Sequence, residues 1–417
     1  MTERFKTIHN QNRYKTDVGA RRLMGAILLL TFVTLGRSRG MADEGQRRPG
    51  EKRDIVVYAN DEEYASFPIL ARSDQELTLL FQVQDLAKLR ASGKHPHYQS
   101  LAVPRWATSR DGGLAWKVHE TSPPLGRMLD IGYGSAPLED GGTVTLTFSS
   151  TEPLQAIVQH GVIGYRPYQD SSREPGDKYQ VTDLGPFKSF YPMGIKRLAN
   201  GSLLAAGYVP FKSAAGHDKT TAVFLSSRDA GKNWTYLSHI PNENPFDFSE
   251  PDVIETRDGR LITLLRSDWD LIPVEQRPEE AKIGYGYFLY QTESLDGGRN
   301  WSEPVRLDLW GHPPYLLRLA SGNILLVYGY RRAPWEIRAI LSRDEGRTWD
   351  MATMHTVHTF NPGNLDMGYP VATQLEDGSI VCAFYGYSTT DIGENTPRGI
   401  FVSVFDEKWL TGDQRLK

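Results

Sequence analysis

One eight-residue pattern, SxDxGxxW, occurs four times in this chain of 417 residues. The copies are SRDGGLAW from Ser109, SRDAGKNW from Ser227, SLDGGRNW from Ser294 and SRDEGRTW from Ser342. The aspartate can accept hydrogen bonds from N–H groups of a tight turn, the glycine allows a positive φ, and the tryptophan can pack between sheets. Because a strand-like stretch follows each copy, the pattern predicts a repeated β-hairpin unit.

A second repeat is offset from the first and contains a bulky or proline-containing start, a short strand, a turn and an apolar strand. Its six copies begin at Phe67, Gly134, Tyr191, Glu250, Pro313 and Gly368. The turn glycines Gly141, Gly201, Gly259, Gly322 and Gly378 lie 60, 58, 63 and 56 residues apart. Four short strands in each unit of about 62 residues predict an all-β fold, a six-bladed β-propeller, as one domain over residues 53–410. A β-sandwich or a β-helix is the alternative.

Composition agrees with this class and excludes several others. The 39 glycines and 25 prolines argue against a long helical bundle, and a mean hydropathy of −0.45 excludes a polytopic membrane protein. Cys382 is the only cysteine, so the chain has no intrachain disulfide and no cysteine cage for zinc or an iron–sulfur cluster. We expect neither a metal nor a cofactor.

The first 42 residues are expected to be a targeting segment. A basic, polar stretch precedes the 14-residue apolar run LMGAILLLTFVTLG, which begins at Leu23 and is shorter than the roughly 20 residues of a membrane span. This order is typical of a secretory signal, with cleavage expected after Ala42 and a secreted or periplasmic product. An uncleaved signal anchor, which would leave the protein attached to the membrane, is the alternative.

Net charge argues against a nucleic-acid partner once this segment is set aside. The chain carries −4 in all; residues 1–42 hold eight Lys or Arg and two Asp or Glu, a charge of +6, so the remainder carries −10. An acidic protein without a basic run is a poor nucleic-acid binder.

The aspartate turn motifs on a six-bladed propeller resemble the Asp boxes, or BNR repeats, of the sialidases (neuraminidases) and their relatives. The resemblance covers residues 55–405. In that family the first strand of each blade lines a central channel, and its entry loops carry the site. The resemblance implies a secreted, exo-acting glycoside hydrolase whose substrate is a glycan or glycoconjugate.

Two stretches resemble the family's site motifs in order. In SEPDVIETRDGRLITLLR, Glu250 opens a blade and Arg266 ends the following strand, and in DMGYPVATQLEDGSI, Tyr369 opens the last blade. The family keeps a substrate arginine between these two stretches. Arg331 fits that place best, with Arg332 and Arg338 as competitors.

The resemblance implies a retaining mechanism with Tyr369 as nucleophile and Glu250 as its base. A sialoside carries a carboxylate on its anomeric carbon, which would repel a carboxylate nucleophile, so a neutral tyrosine suits the reaction better. A phenol with a pKa near 10 is a weak nucleophile at neutral pH and needs a base. Arginines can bind the substrate carboxylate bidentately.

The chain departs from the family at two linked positions. Where the family has its first-blade arginine, this chain reads SFPILAR, with Ser66 and Phe67 at that place and Arg72 displaced by several residues. The glutamate that orients that arginine in the family is absent from AFYGYS. No aspartate stands out as the general acid, and Asp85 is the nearest candidate.

An anion site is predicted from the repeat itself. Arg266 and Arg331 occupy matching positions in neighbouring units, so their guanidinium groups would project to one side of a shared cavity. Two like charges so close require an anion, or acids such as Glu250 and Asp366, between them. Each of these residues also has a structural interpretation, as a cap, an ion pair or channel packing.

Two further functions stay open. One is a non-catalytic propeller that binds glycans or a protein partner, which the incomplete arginine set favours. The other is a different glycan-active propeller enzyme, such as a lyase, with Tyr369 or a histidine as base.

Overall fold

The computed structural model describes residues 47–74, 76–93, 102–121, 128–147, 154–159, 176–212, 216, 218–269, 272–282, 287–361, 365–389 and 396–412. These residues form mainly β-strands, which confirms the all-β class. Their helices are short: α1 Leu86–Ser92, α2 Glu407–Thr411 and the 3-10 turns Val274–Gln276 and Glu279–Ala281. Within these ranges, no helix has the length and apolar character needed to cross a membrane. The expected signal segment, residues 1–42, lies outside the described residues.

Strands from the beginning and the end of the described chain share one nine-stranded sheet. Its members are β1 Arg53–Tyr58, β2 Glu63–Ser73, β3 Leu77–Asp85, β4 Val103–Ser109, β5 Lys117–His119, β6 Met128–Ile131, β23 Gly368–Gln374, β24 Ser379–Tyr387 and β25 Arg398–Asp406. β1 lies antiparallel on β25, with Arg53 opposite Val404, so an N-terminal strand completes a C-terminal group. β2 meets β25 in a parallel bridge at Tyr64 and Arg398.

The intervening strands form four sheets of four antiparallel strands in chain order. The first holds β7 Ser135–Pro137, β8 Thr143–Thr147, β9 Gln155–Gln159 and β10 Asp177–Gln180, and the second β11 Tyr191–Arg197, β12 Leu203–Lys212, β13 Asp218–Ser227 and β14 Thr235–His239. The third holds β15 Asp247–Glu255, β16 Leu261–Asp268, β17 Phe288–Ser294 and β18 Val305–Trp310. The fourth holds β19 Pro314–Arg318, β20 Ile324–Tyr330, β21 Glu336–Ser342 and β22 Asp350–Thr359.

The repeated turns have the hydrogen bonds that the sequence predicts. Asp296 accepts from the backbone N–H groups of Arg299 and Asn300, at 3.0 and 2.9 Å, and from the Ser294 hydroxyl at 2.8 Å. The other three turns repeat the bond from the serine to the aspartate. Trp301 stacks on Phe224 of the preceding sheet with ring centroids 4.4 Å apart. The turn therefore joins two sheets as well as two strands.

The apolar core lies between neighbouring sheets. Separate clusters of buried side chains join the first sheet of four to the second, the second to the third, and the third to the fourth. A further cluster joins the fourth to the nine-stranded sheet. Burial of apolar faces on both sides of each sheet is the main stabilising term for such stacked sheets.

Candidate active site

Three strands that begin a sequence repeat carry the same backbone irregularity. Phe67, Glu250 and Tyr369 have φ angles of 53°, 43° and 47°, and each is followed by a proline. The strand pairing of β2, β15 and β23 shifts register at these residues. A left-handed φ is unfavourable for a residue with a side chain, and a bulge redirects the side chain from the regular alternation. Such strain is common at functional sites.

The bulges bring Tyr369 and Glu250 together across 119 residues of sequence. The Tyr369 hydroxyl donates a hydrogen bond to one carboxylate oxygen of Glu250. The other oxygen accepts from Nη1 of Arg266 at 2.7 Å. Glu250 is 7% exposed and Arg266 is 6% exposed, so this contact is shielded from water. The two residues predicted as nucleophile and base are thus direct partners.

The surroundings keep Glu250 ionised. Burial alone would raise the pKa of this carboxyl, but the Arg266 guanidinium, the Tyr369 hydroxyl and Arg331 together lower it below its usual 4.5. Glu250 is therefore a carboxylate at neutral pH and can accept a proton.

The same surroundings keep Tyr369 protonated. Burial, together with the negative charge of Glu250, raises the pKa of the Tyr369 phenol well above its usual 10.0. A neutral phenol that donates to an ionised carboxylate is the ground state expected of a nucleophile paired with its base.

Arg266 has two acidic partners within the protein. Besides its bond to Glu250, its Nε lies 2.6 Å from Oδ2 of Asp268, which is itself buried. Its charge is therefore compensated before any ligand arrives. This geometry suits a residue that holds Glu250 in place, and its predicted contact with substrate stays a prediction.

Arg331 has the opposite environment. It is 2% exposed, its Cζ lies 5.2 Å from the centroid of the Tyr369 ring, and its Nε and Nη2 have no hydrogen-bond partner among the described residues. Gly368 leaves space beside it, since a Cβ there would lie 3.4 Å from the guanidinium nitrogens. A buried cation without a partner is costly unless it binds an anion.

The two other candidates for the substrate arginine, Arg332 and Arg338, contact Tyr330 instead of Tyr369. Arg332 donates from Nε to the Tyr330 hydroxyl at 2.7 Å and stacks on Trp310. Arg338 forms an ion pair with Glu336 at 2.6 Å and also covers the Tyr330 ring. Among these three, Arg331 has the contact with Tyr369.

Asp366 belongs to a neighbouring hydrogen-bond network that reaches the pair through Tyr385, whose ring centroid lies 6.1 Å from that of Tyr369. It accepts from the hydroxyls of Tyr64 and Tyr385, both at 2.8 Å, and from Nη2 of Arg398 at 3.2 Å. Arg398 is 0% exposed. Arg398 compensates the charge of Asp366, and the expectation that Asp366 lies between Arg266 and Arg331 stays a prediction. Arg398 was not among the predicted site residues, although a lone arginine that opens the apolar stretch RGIFVSV was a signal for it.

Asp85 and Arg72 lie apart from this cluster. Asp85 is exposed and caps α1 by accepting from the N–H of Lys88 at 2.9 Å. Arg72 follows Phe67 by five residues along β2, which corresponds to roughly 16 Å of extended strand. Neither has a hydrogen bond, ion pair or ring contact with Tyr369 or Glu250 in the part of the chain that the structure describes.

Phe67 forms an apolar wall at the place where the resemblance implies an arginine. Its ring meets the edge of the Tyr369 ring at 4.8 Å and lies 5.3 Å from Tyr385. The site therefore combines a tyrosine–carboxylate pair, an aromatic wall and one buried guanidinium, two of whose nitrogens have no hydrogen-bond partner among the described residues.

Comparison with known proteins agrees with this architecture. Residues 192–382 match the family model described as BNR repeat-like domain. No match was found among curated proteins. Over these 191 of its 417 residues, the chain resembles a BNR repeat-like domain.

Solved structures share the fold at low sequence identity. A Dyadobacter fermentans protein of unknown function is 21% identical, with a TM-score of 0.63 over 86% of this chain and 100% of that one. The NanB sialidase of Streptococcus pneumoniae is 12% identical, with a TM-score of 0.51 over 85% of this chain and 71% of that one.

Proposed function

We propose that this protein is a retaining, exo-acting glycoside hydrolase that cleaves glycosides of an acidic sugar, with sialosides as the leading substrates. The observation that carries the proposal is the buried hydrogen bond from Tyr369 to Glu250, with Arg331 against the Tyr369 ring. In the first step Glu250 takes the phenolic proton, the Tyr369 oxygen bonds to the anomeric carbon, and the bond to the leaving oxygen breaks. In the second step a water oxygen bonds to the anomeric carbon and gives its proton to the base left by the general acid, the bond to the Tyr369 oxygen breaks, and Glu250 returns the proton to that oxygen, so the configuration is retained.

Protonation of the leaving oxygen requires a general acid. Asp85, the residue predicted for this role, caps α1, and we assign the role to no residue. Neither Glu250 nor Asp268 suits this role, because Glu250 is held ionised and Asp268 is paired with Arg266.

We also propose that the described strands form six blades around one axis, as a single domain over residues 53–410. The nine-stranded sheet divides into a blade of β2, β3, β4 and β5, a blade of β23, β24, β25 and β1, and the short strand β6 on the edge of β2. With the four other sheets, this makes six blades. The Asp-box glycines support a ring, because each packs on the sheet before it: Gly231 on Val144, Gly298 on Leu237, Gly346 on Ile262 and Gly113 on Val381 of β24. We further propose that residues 1–42 direct export of the protein as a secretory signal.

The environment of Arg331 supports an acidic sugar as the substrate. Its unpartnered nitrogens lie beside the Tyr369 ring, so a carboxylate bound there would be close to the reacting carbon. Phe67 occupies the place of a second arginine and offers only apolar contact. We therefore infer one strong charged contact to the substrate acid where the family has several.

The test is hydrolysis of a panel of aryl glycosides, aryl sialosides among them, by the wild type, Tyr369→Phe and Tyr191→Phe. Tyr191 is a matched control, because it also precedes a proline in the first strand of its sheet. We expect Tyr369→Phe to lose about 10³-fold in kcat/KM and the control to lose little. Full activity in Tyr369→Phe would refute the nucleophile. Saturable glycan binding without turnover by the wild type would favour a non-catalytic propeller.

A further inference from the structure

A short segment of the chain lies across several first strands, directly beside the candidate pair. It consists of Gly132, Tyr133 and Gly134, between β6 and β7, and we call it the crossing segment. The N–H of Gly132 donates to the Leu70 carbonyl in β2 at 2.8 Å, and the N–H of Gly134 donates to the Met193 carbonyl in β11 at 3.0 Å. Three residues thus connect strands from different sheets.

Tyr133 extends this connection to the strand that carries Tyr369. Its hydroxyl donates to the carbonyl of Pro370 at 2.6 Å, across 237 residues of sequence. Its ring meets the Tyr369 ring at 6.5 Å and the Tyr315 ring at 5.5 Å, both at steep angles. Tyr133 is 6% exposed, so water does not readily replace these contacts.

The Pro370 carbonyl, which accepts this hydrogen bond, belongs to the strained part of β23. Pro370 directly follows Tyr369, whose φ is 47°, and the pairing of β23 with β24 shifts register between Gly368 and Val371. A bulge removes regular ladder bonds, so the carbonyls within it need other donors. Tyr133 supplies such a donor at the residue next to the proposed nucleophile.

We propose that Tyr133 is a positioning residue for the reaction, because it fixes the bulge that directs Tyr369 toward Glu250. The ring of Tyr133 supports the phenol from one side, and its hydroxyl fixes the backbone on the C-terminal side of Tyr369. This inference rests on the proposed function for its effect on catalysis. Its structural part, the placement of Tyr369, can be tested independently.

The experiment compares Tyr133→Phe with Tyr328→Phe. Tyr133→Phe keeps the ring and removes the bond to Pro370. Tyr328 is a matched control, because it is 1% exposed, its hydroxyl lies 3.8 Å from the Met354 sulfur, and among the described residues its ring makes no contact with the Tyr369 ring. Steady-state kinetics, thermal unfolding and crystal structures are measured for both variants and the wild type.

We expect kcat of Tyr133→Phe to fall roughly tenfold while KM changes less than about twofold, since one hydrogen bond that orders a reactive group is lost. The control should keep its kcat, although both variants lose one buried hydroxyl. In the crystal structure of Tyr133→Phe we expect the Tyr369 oxygen to leave hydrogen-bond distance of Glu250.

Two results would overturn the proposal: a kcat equal to that of the control, or a Tyr369 that stays bonded to Glu250 in the variant. If the wild type hydrolyses no glycoside, the proposed function fails. The crystal structures then still decide whether Tyr133 positions Tyr369.

Discussion

At the scale of single residues, the site contains features that cost stability. Glu250 and Tyr369 hold left-handed backbone angles, and Arg331 is a buried cation with two unpartnered nitrogens. Local strain and unpaired charge persist where the surrounding structure enforces them, and they concentrate where a ligand or a reaction uses them. The three residues are neighbours, which supports one shared role.

The two arginines at the pair should differ in kinetic role. Arg331→Lys removes the bidentate contact to a substrate anion, which should cost about 2–5 kcal/mol in transition-state binding for an acidic glycoside and little for a neutral one. Arg266→Lys disturbs Glu250 and should reduce kcat on both substrates alike. The measurement is kcat/KM of both variants on a matched pair of acidic and neutral aryl glycosides. Equal losses for Arg331→Lys on both substrates would show that it does not bind the substrate anion.

Glu250 should also make stability depend on pH. Its pKa in the folded protein lies below the usual 4.5, so its contribution is present above that value and is lost as the pH falls through the folded-state pKa. Urea unfolding from about pH 7 to about pH 3 should therefore show the difference between wild type and Glu250→Gln shrinking at acid pH. A difference that grows as the pH falls would mean that the folded-state pKa is raised instead.

At the scale of elements, local patterns could be predicted and long-range contacts could not. The turns at Asp296 and its counterparts follow from bonds within five residues, so the sequence is sufficient to predict them. Tyr369 and Glu250 could be paired only through the resemblance to a family. Arg398 and Tyr133 were missed because their partners, Asp366 and Pro370, are far away in the sequence and depend on how the sheets pack.

The crossing segment depends on a glycine. A Cβ on Gly132 would lie 2.3 Å from Cγ2 of Val371, whereas a Cβ on Gly194 would meet its nearest neighbour, an Asp252 oxygen, at 3.5 Å. Neither glycine is among those with a positive φ, so the two substitutions differ mainly in the room available for the added Cβ. We expect Gly132→Ala to lower the free energy of unfolding by about 1–3 kcal/mol and Gly194→Ala by less than about 1 kcal/mol. If urea denaturation showed the same loss in free energy of unfolding for both variants, the close contact between Gly132 and Val371 would be contradicted.

At the scale of the whole molecule, the two ends of the described chain complete one sheet. β1 pairs with β25 from Arg53 to Tyr58. The apolar cluster that joins the fourth sheet to the nine-stranded sheet includes residues of both strands. The repeat in the sequence predicts the number of units. It does not predict that the final unit borrows its outer strand from the N-terminal side, because β1 lies outside the repeat.

Deletion of residues 1–58 should therefore destabilise the fold relative to deletion of residues 1–46, because only the longer deletion removes β1. The longer deletion exposes the edge of β25 and the apolar side chains beneath β1, so we expect the midpoint of thermal unfolding to fall by about 10 °C. If calorimetry gave the same midpoint of thermal unfolding for the two deletions, β1 would not stabilise the nine-stranded sheet.

Trapping of the proposed covalent bond between Tyr369 and the sugar is the decisive experiment. The wild type is incubated with a fluorinated acidic glycoside that has a good leaving group, which slows release of the intermediate, and is then digested for peptide mass mapping. We expect one added sugar on the peptide that contains Tyr369, and none in Tyr369→Phe. A sugar bound to Glu250 or another carboxylate, or turnover with inverted configuration and no adduct, would contradict it.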